Sequence, residues 1–149
     1  MNIEVSGGAI PRLTRRDISV FTRKVLLTLE KLYHLDDEIT DVSIAFVDDE
    51  AMKKLNRQFR HRNKTTDVLT FPADDTYGDP NRKGRPLGDI VVCVDQARRQ
   101  AVDEKHSLAT EVRFLILHGI LHALGYDHES DKGEMNELEL QIRPTVGLT

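Results

Sequence analysis

The sequence predicts an α+β domain, a small mixed sheet of four strands packed with about five helices, with residues 1–149 forming a single domain. Three observations carry this. The chain has 149 residues, the length of one ordinary domain with one core. Four short segments alternate or run apolar as strands do, and five others repeat their apolar residues every three or four positions. The two kinds interleave along the chain without an internal repeat.

The elements follow in order. Ile3 to Val5 reads as a first strand. Thr14 followed by Asp17 resembles a capping box, with Asp in place of the usual Glu or Gln. Beyond it Ile18, Phe21, Val25, Leu29 and Leu32 recur at helical spacing, which predicts a long amphipathic helix to about Tyr33. This helix can cross over between parallel strands. Val42, Ile44 and Phe46 alternate as a half-buried strand does. Asp48 then caps a helix whose buried stripe is Met52, Leu55 and Phe59. Asp67 to Phe71 is a short strand stopped by Pro72, and residues 73–85, rich in Asp, Gly and Pro, read as the mobile loop of the molecule. Leu87 to Val94 is nearly all apolar and predicts a buried central strand, after which Asp95 can cap the next helix. Ser107 caps a helix that is apolar around most of its second half and ends at Gly125, so it should lie at the centre. A last short helix carries Met135, Leu138 and Ile142.

Composition removes several classes. Hydrophobic residues make up 39% and charged residues 31%, the balance of a globular chain and not of a fibrous or disordered one. The longest apolar runs are far shorter than the ~20 residues a membrane span needs. The first residues carry no basic stretch followed by an apolar one, so no secretory signal is expected. Cys93 is the single cysteine; it cannot form an internal disulfide, it sits in an apolar run as a packing residue, and a cytoplasmic location is expected.

Charge is unevenly spread. The net −4 is the balance of a +6 segment, Lys53 to Lys64, against −10 in the rest of the chain. That segment holds Lys53, Lys54, Arg57, Arg60, Arg62 and Lys64 and no acid. It is either a solvated helix face or a contact for phosphate.

The chemistry-bearing stretch runs from His118 to His128. His118 and His122 are four residues apart, about 40° around a helix, so both rings point the same way. Gly125 can take a left-handed conformation and turn the chain back, which lets His128 reach the same point. Three neutral imidazoles then form three corners of a tetrahedron around one metal ion, with the fourth left for water. Two histidines on one face of an apolar helix also need polar partners, and a shared ion supplies them. The spacing matches the long zinc signature of metzincin peptidases, so a zincin-like metal helix is expected at the centre, but Gly119 stands where those enzymes carry their general-base glutamate. Peptide hydrolysis by the usual route is therefore disfavoured.

Taken together, His118-Gly119-Ile120-Leu121-His122, Gly125-Tyr126-Asp127-His128, Leu55-Asn56-Arg57-Gln58-Phe59-Arg60, Thr66-Asp67-Val68-Leu69-Thr70-Phe71-Pro72 and Leu87-Gly88-Asp89-Ile90-Val91-Val92 resemble the YbeY family of bacterial rRNA maturation factors. The resemblance spans residues 40 to 140 or so. It implies a metal-dependent, single-strand-specific endoribonuclease, active in 3′-end maturation of small-subunit rRNA and in ribosome quality control. It implies one zinc ion per chain held by His118, His122 and His128, and an arginine at the position of Arg60 that serves RNA processing. Implied partners are ribosomal RNA and the ribosome or its small-subunit proteins and assembly factors, with no membrane and no DNA. Ala123 and Asn63-Lys64 depart from the family's usual residues, and neither departure touches an expected ligand.

The catalytic set expected on this reading is Arg60, His118, His122 and His128, with Lys53, Lys54, Arg57, Arg62 and Lys64 tracking the RNA backbone. Arg60 would hold a phosphate oxygen, since a guanidinium fork matches phosphate geometry. No general base stands out. Asp67 and Asp89 are strand residues that either face the cleft or serve as structural acceptors, and Asp127 either orients a histidine or serves the turn. His34, His61 and His106 lack partner spacing and read as surface residues, His61 as an auxiliary RNA contact at most. Two rival readings stay open: a non-catalytic ribosome-assembly factor stabilised by its metal, with Cys93 or an aspartate as fourth ligand, and a metallopeptidase with its base elsewhere.

Overall fold

A computed structural model of the chain describes residues 1–33, 38–73, 81, 84–126 and 131–148. These form four strands and five helices, in the order β1 (Asn2–Gly7), α1 (Arg15–Tyr33), β2 (Ile39–Val47), α2 (Asp49–Arg60), β3 (Val68–Pro72), β4 (Arg85–Cys93), α3 (Val94–Asp103), α4 (Leu108–Ala123) and α5 (Glu134–Ile142). The α+β class and the strand and helix numbers agree with the sequence reading. Most of the expected loop at residues 73–85 lies outside the described residues.

Local chemistry sets the ends of the helices. Thr14 and Asp17 form the reciprocal pair the sequence suggests: Asp17 N–H donates to Thr14 Oγ1 at 3.0 Å, and Thr14 N–H donates to Asp17 Oδ2 at 2.9 Å. Asp48 accepts from Ala51 N–H at 2.8 Å and Ser107 from Thr110 N–H at 3.1 Å. Each satisfies a backbone donor that a helix start otherwise leaves unpaired. Asp95 does something else. It lies in the first turn of α3 without capping it, and its carboxylate accepts from Asp49 N–H at 2.9 Å, at the start of α2. One side chain thereby ties two helix starts together.

The sheet has the order β1-β2-β4-β3, with β1–β2 and β2–β4 parallel and β3 antiparallel on the edge of β4. The parallel β1–α1–β2 crossover is the one the sequence allows. One row across the sheet runs Val5, Ile44, Ile90, Thr70. Ile44 and Ile90 in that row are fully buried in the larger apolar cluster, which joins the sheet to α1, α4 and α5. A smaller cluster of Met52, Leu69, Val91 and Cys93 is the core under α2.

Helix α4 lies at the centre as expected. Val112, Ile116, Leu117, Ile120 and Leu121 are all fully buried, each worth about 1.5–3 kcal/mol relative to exposure. Gly119 lets the helix lie close on the sheet, since a Cβ there would stand 2.7 Å from Ile90 Cγ2. The expected stripe on α2 is shifted. Met52 is buried and Leu55 half-buried, but Phe59 is 51% exposed and instead meets Phe71 edge-on at 5.1 Å. Asn56 takes the inner position, donating to the Lys64 carbonyl at 2.8 Å and accepting through its own carbonyl from Arg62 N–H. The α2 end must be pinned to the chain that follows it, and a polar residue does this where an apolar one cannot.

Candidate active site

Helix α4 ends in a turn that its sequence specifies. Gly125 has φ +103° with no neighbour near its missing side chain, so the need for glycine is conformational and not spatial. Its N–H donates to the His122 carbonyl at 2.9 Å, and Tyr126 N–H donates to the Leu121 carbonyl at 3.1 Å. This paired bonding closes the last turn and leads the chain away from the helix axis. His118 and His122, one turn apart, stand with ring centroids 4.7 Å apart and planes tilted by 60°. His128, expected to complete the site, and Asp127, expected either to orient a histidine or to serve the turn, lie outside the described residues, as does His34.

Behind His118 stands Glu139 of α5, whose Oε1 is 2.8 Å from His118 Nδ1. A carboxylate at that nitrogen requires the proton on Nδ1, so Nε2 becomes the atom that can ligate a metal. Carboxylate support of a ligating histidine is the usual arrangement around bound metals. Glu139 is held in turn by Arg143, 3.6 Å from its other oxygen, and the Arg143 guanidinium lies 4.7 Å above the Phe114 ring. The described donors therefore fit a divalent ion: two imidazoles on one side of a helix, one with its ring locked from behind.

Both histidines line a cleft of about 870 Å³. Arg60, Arg62 and Lys64 line the same cleft, contributed by the end of α2 and the chain leading to β3. Arg60 is anchored there, its Nη2 donating to the Thr70 carbonyl at 3.0 Å. One guanidinium donor of five is used in this way. Lys53, Lys54 and Arg57 are exposed on α2 and do not line the cleft, so the basic segment divides into a part that faces the histidines and a part that faces solvent. His61, exposed, ends α2 in a left-handed conformation at φ 57°.

The two aspartates expected on strands separate, Asp89 within β4 and Asp67 just before β3. Asp67 lines the cleft, with Oδ1 accepting from Val68 N–H at 2.8 Å and Oδ2 from Gln100 Nε2 at 3.3 Å. Asp89 is exposed and lines a different depression with Asn2, Glu4 and Asp41, which removes it from the chemistry. Cys93 is fully buried and does not line the cleft; burial pushes its thiol above its ordinary pKa, which disfavours a thiolate ligand. His106 is not a surface residue. It is half-buried, 2.6 Å from Glu111 through Nε2 and stacked on Phe114 at 5.6 Å between centroids.

The endoribonuclease YbeY family model matches residues 9–147. The chain belongs to the endoribonuclease YbeY family. It is 45% identical over 120 residues to the endoribonuclease YbeY of Nautilia profundicola, covering 80% of this chain and 81% of that one. It is 38% identical over 130 residues to the Staphylococcus carnosus protein of the same name, covering 83% and 84%. Among solved structures it resembles the solution structure of TM1509 from Thermotoga maritima, with TM-score 0.58, 28% identity and coverage of 97% of this chain and 88% of that one. The YbeY match extends beyond the motif blocks at both ends, taking in all of α1 and all of α5, the helix that carries Glu139.

Sequence reasoning about this YbeY member missed Glu139, Gln96, Gln100 and Glu111. Glu139 sits in the middle of an α5 surface that also carries Glu134 and Glu137, with nothing local to single it out. A signal for Glu111 was present: the one acidic residue of a mainly apolar helix, which proves to be buried.

Proposed function

We propose that the chain is a metal-dependent endoribonuclease that cuts single-stranded stretches of ribosomal RNA, acting in 3′-end maturation of the small-subunit rRNA and in ribosome quality control, on or with the ribosome and its assembly factors. The observation that supports this best is the shared cleft. It is lined by the supported histidine pair and by Arg60, Arg62 and Lys64, side chains suited to holding a metal ion and a phosphate. His118, His122 and His128 would hold one zinc ion, which when bound supplies a Lewis acid for the phosphoryl group and lowers the pKa of water toward about 7.

The chain's own residues do the rest. Glu139 fixes the His118 ring and its tautomer. Arg60, tied to the edge strand through Thr70, keeps its remaining donors for a non-bridging phosphate oxygen, at no further cost in ordering its long side chain. Arg62 and Lys64 draw the polyanion to a chain whose overall charge repels it.

Two features weigh against a peptidase. Gly119 packs on Ile90, where a peptidase of this signature carries its glutamate. The edge of β3 is also obstructed for a substrate strand. Asp67 and Ala73 bond inward to β4, so by alternation Val68, Thr70 and Pro72 face outward. Val68 N–H is taken by Asp67, the Thr70 carbonyl by Arg60, and Pro72 has no N–H. A peptide adding to this edge would have to displace Arg60.

The test compares zinc-loaded protein on single-stranded rRNA fragments and on an unfolded protein, beside the Arg60→Glu variant. RNA should be cut and protein left intact, chelation should stop cleavage, and Arg60→Glu should keep one zinc while cleavage falls about 100-fold or more. Loss of zinc in that variant, or undiminished cutting after chelation, refutes the division of roles.

A further inference from the structure

Helix α3 contributes two glutamines to the cleft, Gln96 and Gln100, and their neighbours leave only one orientation for each amide. Gln100 Nε2 donates to Glu111 Oε2 at 3.0 Å and to Asp67 Oδ2 at 3.3 Å. Ionised carboxylates only accept, so both amide protons of Gln100 are used. Its Oε1 is then the acceptor for Gln96 Nε2 at 3.2 Å. Gln96 Oε1 accepts from Arg99 Nε at 3.0 Å and Nη2 at 2.7 Å. Arg99 is itself gripped by both oxygens of Asp49, at 2.9 and 2.7 Å.

Counting donors and acceptors through this chain leaves one proton on Gln96 Nε2 and one lone pair on Gln100 Oε1. They sit on adjacent atoms of two half-buried residues that line the cleft. A donor beside an acceptor complements the Watson–Crick edge of any nucleobase. Adenine presents N1 and N6–H, cytosine N3 and N4–H, uracil N3–H and O4, guanine N1–H and O6, and single-stranded RNA is commonly read through this edge. Neutral amides offer little to a phosphate, which the cations from the α2–β3 connection suit far better.

We infer that Gln96 and Gln100 bind the Watson–Crick edge of one nucleotide beside the cleavage site, and that this contact makes the enzyme select unpaired RNA. A nucleotide within a duplex has that edge occupied by its partner base and cannot engage. Glu111 and Arg99 act as positioning residues that hold the two amides in register. The inference rests on the reading of the cleft as an RNA site.

The experiment uses the full chain loaded with zinc and an RNA oligonucleotide carrying uridine, N3-methyluridine or an abasic residue at each position flanking the cut in turn, with both cleavage and binding measured. At one position the wild type should lose about 10-fold in kcat/KM with N3-methyluridine and with the abasic residue, as expected for loss of a bidentate base contact. Gln96→Met should treat the three substrates alike, with its zinc content unchanged, and should discriminate less against a duplex. Arg99→Met, which releases the Gln96 amide to rotate, should weaken discrimination in the same direction and serves if Gln96→Met fails to fold. Equal handling of all three substrates by the wild type, or full discrimination by both variants, overturns the inference. Selective binding of the unmodified oligonucleotide without any cleavage would uphold it while sinking the nuclease reading.

Discussion

Replacing Glu139 by alanine removes the acceptor that holds His118 in place. The contact is short, 2.8 Å from Nδ1 to Oε1, and the carboxylate is only 13% exposed, so water replaces it poorly. Two effects follow. The imidazole loses the proton placement that aims Nε2 at the metal, and it loses the basicity that a neighbouring negative charge lends it. Outer groups of this kind are worth about 10–100-fold in metal affinity, or roughly 1.4–2.7 kcal/mol. Glu139→Gln keeps an oxygen acceptor without the charge and should fall between wild type and Glu139→Ala. Competition of the purified apoprotein with a chromophoric zinc chelator measures this directly. Thermal melting of the metal-free proteins shows whether the loss of the Arg143 contact has loosened α5. Zinc affinity in Glu139→Ala within about 2-fold of wild type would refute the assignment of Glu139 to ring positioning, since such a change is far below what removing an outer ligand partner costs.

Two further outcomes are expected. The divided basic segment predicts that Arg62→Gln and Lys64→Gln each reduce the salt dependence of single-stranded RNA binding by about 0.7 in log–log slope, while Lys53→Gln and Lys54→Gln, away from the cleft, change it less; equal effects at all four positions would show that the cleft does not carry the backbone. Asp49 predicts a pH effect. The Arg99 guanidinium, aided by Cys93 and Thr65, lowers its pKa from 3.8 to about 2. A lowered folded-state pKa adds stability that is complete above the unfolded value and is lost as the pH falls through the folded one. The wild type should therefore melt higher than Arg99→Met above pH 4 and lose that advantage as the pH drops from 4 toward 2, modestly because the pair is half exposed. A difference that is constant across this range would place the effect of Arg99 elsewhere.

The readable parts of the fold share a physical character. Thr14 with Asp17, Asp48 with Ala51 and Ser107 with Thr110 are bonds across three residues, and the Gly125 turn closes within the last turn of α4. Such contacts form within the span of the element itself, so residue type and spacing suffice. The same holds for the buried circumference of α4 and the facing of His118 and His122, which depend only on the helical period. Long-range contacts were not readable. His118 meets Glu139 across 21 residues, and Asp95 meets Asp49 N–H across 46. Asp95 has the residue type of a cap but stands inside the first turn of α3, and it serves a different helix because the start of α2 lies within its reach. Phe59 has the period of a core residue and is 51% exposed, its ring meeting Phe71 of the edge strand β3 edge-on instead of entering the core.

The chain alone determined the α+β class, the central helix, the pair of histidines on one side of it and the cationic segment, because each is a matter of period, local bonding or composition. Tertiary structure decided which of the cations face those histidines, that Glu139 stands behind one of them, and that Gln96 and Gln100 present a donor and an acceptor to the same space. Those relations arise when α3, α5 and β3 pack against α4 and Arg60 at the end of α2 bonds to β3, and a polar side chain carries no mark of which distant surface it will meet.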